Sequence, residues 1–180
     1  LSQQSMVDAL DIRCTYGRMR VQAGQTAPWL AQVRKRSVLA GFNATMPHKT
    51  DLVPLMDTLS DDARRSHSVT TVVLRNGKAH GHNTDGEGFL LSLKDKGIDI
   101  HGMGVTVLGA GGAARSVVHK LAVSGAAGIT VSCRTPGKAK AWMNVSPVIR
   151  ICGMEDKKSM EGCLGHTDLL VNCTPLGMEG

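Results

Sequence analysis

The sequence predicts an α/β fold in two parts, with a parallel sheet in the second. Three observations carry this. Strand-like and helix-like patterns alternate along the chain, which favours α/β over all-α or all-β. After Gly104 the alternation becomes regular, with strands VTVLG, ITVSCR, VIRIC and DLLVNCTP written as continuous apolar runs, as in a sheet covered on both faces. Between the first of these strands and the helix that follows lies a glycine-rich turn at residues 109–114.

The first part reads as follows. Residues 2–12 form a short helix with Met6, Leu10 and Ile12 on its apolar side. CTYGRMRV (14–21) alternates like a strand. Residues 27–38 carry Trp29, Leu30 and Val33 at helical spacing and end in the basic run Arg34-Lys35-Arg36, a solvated helix end. AGFNATM (40–46) is extended, and Pro47 suits the first turn of a helix. Residues 69–75 and 78–82 flank Asn76-Gly77, a dipeptide that favours a type I′ hairpin. A helix over 85–96 stops near Gly97. The Gly-rich IDIHGMG at 98–104 marks a boundary, dividing the chain into 1–100 and 101–180.

Composition excludes several classes. Lys+Arg exceed Asp+Glu by 21 to 15, a balance of +6, but that charge is too dispersed for a nucleic-acid binder. A basic chain does suit anionic small substrates and phosphates. No apolar run is long enough to span a bilayer, and residues 1–12 lack the pattern of a secretory signal. The five cysteines (14, 133, 152, 163 and 173) form no CxxC pair and no metal-ligand spacing, which points to a reduced, cytoplasmic protein.

The strongest local signal is VTVLGAGGAARSVVHKL (105–121), which matches G-x-G-x-x-A in the strand–turn–helix context that dinucleotide binding requires. Gly109 allows the tight turn, Gly111 the approach of a pyrophosphate, and Ala114 close packing of helix on strand. Ala110, Gly112 and Ala113 complete the turn, and the free N–H groups of the helix start face the phosphates. At the end of the next strand an NAD site usually carries an acid. Here the run is Ser132-Cys133-Arg134-Thr135-Pro136-Gly137-Lys138. Arg134 and Lys138 can clamp a 2′-phosphate and Thr135 can donate to it, which favours NADP. Thr135 also suits a helix N-cap before Pro136.

Two polar motifs stand out in the first part: Gly41-Phe42-Asn43-Ala44-Thr45-Met46-Pro47-His48-Lys49 and Gly81-His82-Asn83-Thr84-Asp85-Gly86. With GAGGAAR, CRTxxKA and DLLVNCTPLGM they occur in an order that resembles the shikimate dehydrogenase family over nearly the whole chain. The resemblance implies an N-terminal α/β substrate domain followed by a Rossmann-like NADP-binding domain. It implies an NADP-dependent oxidoreductase of aromatic amino-acid (chorismate) biosynthesis, interconverting 3-dehydroshikimate and shikimate by hydride transfer, as a monomer or homodimer. The family's catalytic lysine falls on Lys49, its paired aspartate on Asp85, and substrate contacts on Thr45 and Asn43. Thr174, in the last motif, falls at the cofactor.

The chemistry is compatible. Oxidising a secondary alcohol removes the hydroxyl proton as hydride leaves carbon, and a lysine–carboxylate pair can accept the proton and hold the hydroxyl. Read without the family, Asp85 suits the N-cap of the following helix and Lys49 a surface position. His48 is not required by the family pattern, and His80 with His82 does not make a metal site. Two departures bear on function. The family's G-A-V-N-T strand reads His67-Ser68-Val69-Thr70-Thr71, so Thr70 replaces an asparagine expected at a ring hydroxyl. A quinate or other polyhydroxylated ring acid is therefore an alternative substrate. The family's opening strand and serine pair, and the sequence after its last motif, are expected beyond both ends of the chain. A non-catalytic NADP-binding module is the alternative from another class.

Overall fold

A computed structural model describes residues 3–11, 13–36, 38–143 and 146–177. Among the described residues two four-stranded sheets form, one from each part of the chain. No helix among the described residues is long and apolar enough to cross a membrane.

The first helix, α1 (Gln3–Ala9), is shorter than the pattern suggested. It ends where Asp11 takes a positive φ and its N–H bonds back to the Asp8 carbonyl. Leu10 is left exposed; Ile12 and the side chain of Met6 lie outside the described residues. The expected strand at 14–21 does not form a ladder. No described strand lies beside it; side chains anchor it instead, with Tyr16 N–H donating to Gln4 Oε1 at 2.6 Å and Tyr16 O–H to Asn43 Oδ1 at 3.0 Å.

Helix α2 (Thr26–Val33) buries Thr26, Leu30 and Val33 and ends before the basic run. Arg34 is no free solvated end. Its guanidinium donates to the Leu55 carbonyl and meets Asp57 at 2.8 Å. The Asp57 carboxylate also accepts from Ala79 N–H at 2.7 Å, and that bond holds its pKa below the usual range.

Strands β1 (Gly41–Asn43), β2 (Thr58–Leu59), β3 (Thr71–Arg75) and β4 (Lys78–His82) make the first sheet in the order β1-β3-β4-β2. β1 and β4 run antiparallel to β3, and β2 runs parallel to β4. Asn76 and Gly77 both have positive φ, as a type I′ turn demands. No helix starts at Pro47. Residues 46–52 are turns leading into a single 3₁₀ turn at Val53–Leu55, because Pro54 has no N–H with which to extend an α-helical ladder. Helix α3 (Asp61–Ser66) is capped by Ser60, whose hydroxyl accepts from Ala63 N–H at 3.3 Å.

Helix α4 (Asp85–Lys94) ends as expected near Gly97, whose φ of +73° lets Ile98 N–H reach back to the Leu93 carbonyl. Its Phe89, Leu90 and Leu93 pack on the core of the second sheet, so α4 joins that core although it precedes the 98–104 segment.

The second sheet is parallel throughout. β5 (Gly104–Leu108), β6 (Gly128–Cys133), β7 (Ile149–Gly153) and β8 (Leu169–Asn172) stand in the order β7-β6-β5-β8. Helices α5 (Gly112–Val123), α6 (Pro136–Met143) and α7 (Lys157–Leu164) supply the crossovers. Val105, Val107, Ile129 and Val131 are buried together with Ala114, Val118 and Leu121 of α5, which explains the uninterrupted apolar strands. The strand order reverses between β5 and β8. That switch point leaves a crevice at the strands' carboxyl ends, where open α/β sheets take their ligands.

Candidate functional site

Two segments lie at the switch point. After β5 the chain turns through residues 109–111 into α5; after β8 it runs through Cys173, Thr174 and Pro175. Gly109 adopts φ +104°, and a Cβ there would stand 3.0 Å from the Cys173 carbonyl oxygen, so both conformation and space require glycine. Gly111, the N-cap of α5, borders open space: a Cβ there would meet no protein atom within 4 Å. The first turn of α5 thus presents its N–H groups to an open cradle, the chemistry a pyrophosphate needs. Arg134 and Thr135 follow the carboxyl end of β6 and are exposed; Arg134 forms no ion pair among the described residues. The side chain of Lys138, on α6, lies outside the described residues. Thr174 closes a small turn, donating to Asn172 Oδ1 from its backbone N–H at 3.0 Å and its hydroxyl at 2.7 Å.

The first part of the chain meets this crevice through residues 45–50. A cavity of about 290 Å³ is lined by Thr45, Lys49, Gly111, Gly112, Cys173 and Thr174. Within reach of it, Lys49 Nζ and Asp85 Oδ2 form a hydrogen-bonded ion pair, with side chains 18% and 30% exposed. Two residues far apart in sequence are therefore joined beside the glycine-rich turn. Asp85 is the first helical residue of α4, not its N-cap; that position is Thr84, whose side chain makes no capping bond. The Asp85 carboxylate is thus free of capping duty. Cys173 lies close enough to feel both charges. Burial, reinforced by Asp85 and opposed by Lys49, pushes its thiol up to about 11.

A second cavity, about 300 Å³, adjoins Thr45 on the other side and is lined by Tyr16, Trp29, Phe42, Asn43, Thr45 and His48 among others. Asn43 is its polar centre: Oδ1 accepts from Tyr16 O–H and Nδ2 donates to Thr71 Oγ1 at 3.0 Å. Tyr16 was missed in the sequence because it sits in no polar motif, and Thr71, although it ends the 67–71 segment, was given no role because its link to Asn43 is made only by folding. His48 is held structurally, Nδ1 against Thr26 Oγ1 at 3.0 Å and Nε2 against the Val21 carbonyl at 2.9 Å. Thr70 is only 4% exposed. Its hydroxyl accepts from Thr84 N–H at 2.9 Å and lies 3.2 Å from Thr84 Oγ1, so it fixes the residue before Asp85. His80 bonds Thr58, and no group of three or more metal-ligating side chains forms among the described residues.

Fold and site together define a protein with a dinucleotide-type sheet, faced at its switch point by a second α/β unit that carries a lysine–carboxylate pair. Comparison with known proteins narrows this. The shikimate dehydrogenase substrate binding domain matches residues 1–72. The shikimate dehydrogenase (NADP(+)) of Alkaliphilus metalliredigens is 43% identical over 146 residues, covering 78% of this chain and 51% of that protein. Among solved structures, shikimate dehydrogenase from Aquifex aeolicus aligns with a TM-score of 0.87 at 30% identity, over 98% of this chain and 64% of that one. Shikimate 5-dehydrogenase from Thermus thermophilus, in complex with NADP(H) and shikimate, aligns with a TM-score of 0.76 at 32% identity, over 95% and 61%. The chain belongs to the shikimate dehydrogenase family. It spans about half to three fifths of the length of the curated relatives it matches.

Proposed function

We propose that this chain carries the substrate-binding and cofactor-binding parts of an NADP-dependent oxidoreductase that interconverts 3-dehydroshikimate and shikimate. Residues 1–100 form the substrate part and 101–180 the cofactor part. The observation that carries the reading is the Lys49–Asp85 ion pair, held against the glycine turn of a parallel sheet.

The residues present fit NADP: an open cradle at Gly111, a helix start at Gly112, and an exposed Arg134 where an acid would favour NAD. Ala110 and Ala113 complete the cradle, Thr135 donates beside Arg134, and Thr174 borders the crevice. When bound, the nicotinamide supplies the hydride chemistry. The chain's own groups do the rest. Lys49 and Asp85 hold the reacting hydroxyl and handle its proton, Lys49 donating it in the reduction direction. Asn43 and Thr45 orient the ring from the adjoining cavity. Thr70, where the family carries an asparagine, acts on the ring through Thr84 and Asp85, and quinate is the other substrate to test. A cytoplasmic location accords with five free cysteines.

The test is NADP reduction with shikimate and quinate side by side, and cofactor affinity by fluorescence titration. NADP should bind at least about tenfold tighter than NAD, since a charge-assisted contact contributes on the order of 1.5–3 kcal/mol. Arg134→Ala should remove most of that preference. Equal affinities in the unmutated protein would overturn the cofactor assignment, and turnover of neither acid the substrate class.

A further inference from the structure

The Asp85 carboxylate is not placed by α4 alone. Two residues earlier, Asn83 is 7% exposed and both ends of its side-chain amide are engaged. Oδ1 accepts from Asp85 N–H at 3.1 Å. Nδ2 donates to the Ser68 carbonyl at 2.8 Å and to Ser116 Oγ at 2.7 Å, with Ser66 Oγ at 3.3 Å. The orientation of the amide is dictated by its surroundings: turned over, it would set oxygen against the Ser68 carbonyl and nitrogen against the Asp85 N–H, two repulsive contacts. Ser116, accepting from Asn83, has its own hydrogen free to donate, and it does so to the Gly112 carbonyl at 2.9 Å. A directional chain therefore runs from the Asp85 backbone through Asn83 and Ser116 to Gly112, the first residue of the dinucleotide helix.

Steric contacts follow the same line. A Cβ on Gly112 would stand 3.0 Å from Lys49 Cβ and 3.1 Å from Ser68 Oγ, and one on Gly86 would stand 2.5 Å from the Ser116 carbonyl oxygen. Both members of the ion pair are thus indexed against the first turns of α5. Hydride transfer and proton transfer must occur at neighbouring atoms of one substrate carbinol, so the cofactor turn and the Lys49–Asp85 pair need a fixed separation.

We propose that Asn83 is a positioning residue that sets the Lys49–Asp85 pair in register with the cofactor, with Ser116 as its anchor on the cofactor side. This rests on the reading of the site given above. The test uses Asn83→Ala and Ser116→Ala, with kcat, KM for the ring acid, NADP affinity by fluorescence, and the pH profile of kcat/KM. Misplacement by a fraction of an ångström to an ångström costs up to roughly a hundredfold in rate. Asn83→Ala should lower kcat about 10- to 100-fold and shift the pH limbs, since the ion pair loosens, while NADP affinity stays within about threefold. Ser116→Ala should move kcat in the same direction by less, because the bond from Asp85 N–H to Asn83 survives. It also keeps the test open if Asn83→Ala does not fold, as alanine is well tolerated in a helix. Unmoved kcat and pH limbs in folded Ser116→Ala and Asn83→Ala would overturn the proposal alone, as would losses wholly accounted for by weaker NADP binding. An unmutated protein without turnover would overturn the site reading and this proposal with it.

Discussion

Gly86 offers a quantitative check on how closely the two parts of the chain are joined. A methyl group there would stand 2.5 Å from the Ser116 carbonyl oxygen and 2.6 Å from Lys120 Cγ. The lysine stem can swing aside, but the carbonyl belongs to the backbone of α5. To restore an ordinary contact the helices must part by most of an ångström, which strains the 2.7 Å bond between Asn83 and Ser116. Overpacking of this kind costs roughly 1–3 kcal/mol, while replacing glycine by alanine inside a helix returns about 1 kcal/mol. Gly86→Ala should therefore lower stability by up to about 2 kcal/mol, or leave it level at best. Gly88 is the control, two residues along the same helix, exposed, with nothing within 4 Å of an added Cβ. Gly88→Ala should gain about 0.5–1 kcal/mol, from propensity alone. Urea unfolding followed by circular dichroism reads both. If Gly86→Ala proves as stabilising as Gly88→Ala, α4 and α5 do not make the close contact described.

Three further outcomes are expected. Lys49→Ala should lower kcat by roughly 10²–10⁴, with NADP affinity nearly unchanged; normal turnover in steady-state assays would put the proton-handling group elsewhere. His119 lies beside Asp62 at 3.4 Å, but burial holds its pKa below the ordinary value despite that partner, with Lys120 and Arg65 adding to the depression. The unfolded chain then binds the proton first, so stability should fall as pH drops below about 6.5, and urea midpoints of His119→Gln should lack that decline. With its pKa near 11, Cys173 is about one part in a thousand thiolate at pH 8, so iodoacetamide should label it far more slowly than exposed Cys14; equal labelling by mass spectrometry would contradict its burial.

How much of this was legible in the sequence depended on how local the determinant was. The parallel sheet was readable because both faces of β5 and β6 are covered, which forces apolar runs. The hairpin was readable because a type I′ turn needs two positive-φ residues and Asn76-Gly77 supplies them. Residues 14–21 misled because the alternation there corresponds to no covered face, residues 14–20 all being exposed, and among the described residues they have no ladder partner. Lys49, Asp85, Asn43 and Thr45 were singled out through motifs, and the fold brings Lys49 against Asp85. Tyr16 and Thr71 were not singled out, because their link to Asn43 is made only by folding. Thr70 shows the limit of reading by position: its place in a motif suggested a substrate contact, while its hydroxyl is occupied by Thr84.

The same distinction explains why the join between the two parts could not be read in advance. Asp62, Glu87 and Lys120 stand on three helices, and each taken alone is an ordinary charged residue. In the fold Lys120 Nζ reaches Asp62 and Glu87, each at 2.9 Å, and these partners raise its pKa. The bridge is partly open to solvent, so its contribution to stability is modest. It nonetheless ties α3, α4 and α5 together, and it is continuous with the close contact at Gly86, which abuts the Lys120 stem itself. One face of α5 thus meets the first part of the chain in three successive contacts, Gly112 with Lys49, Ser116 with Asn83, and Lys120 with Asp62. These positions on α5 recur every fourth residue, about one helical turn each time. That periodic face of α5 lets a single helix carry the glycine-rich turn at its start and meet the lysine–carboxylate pair's own elements along its side.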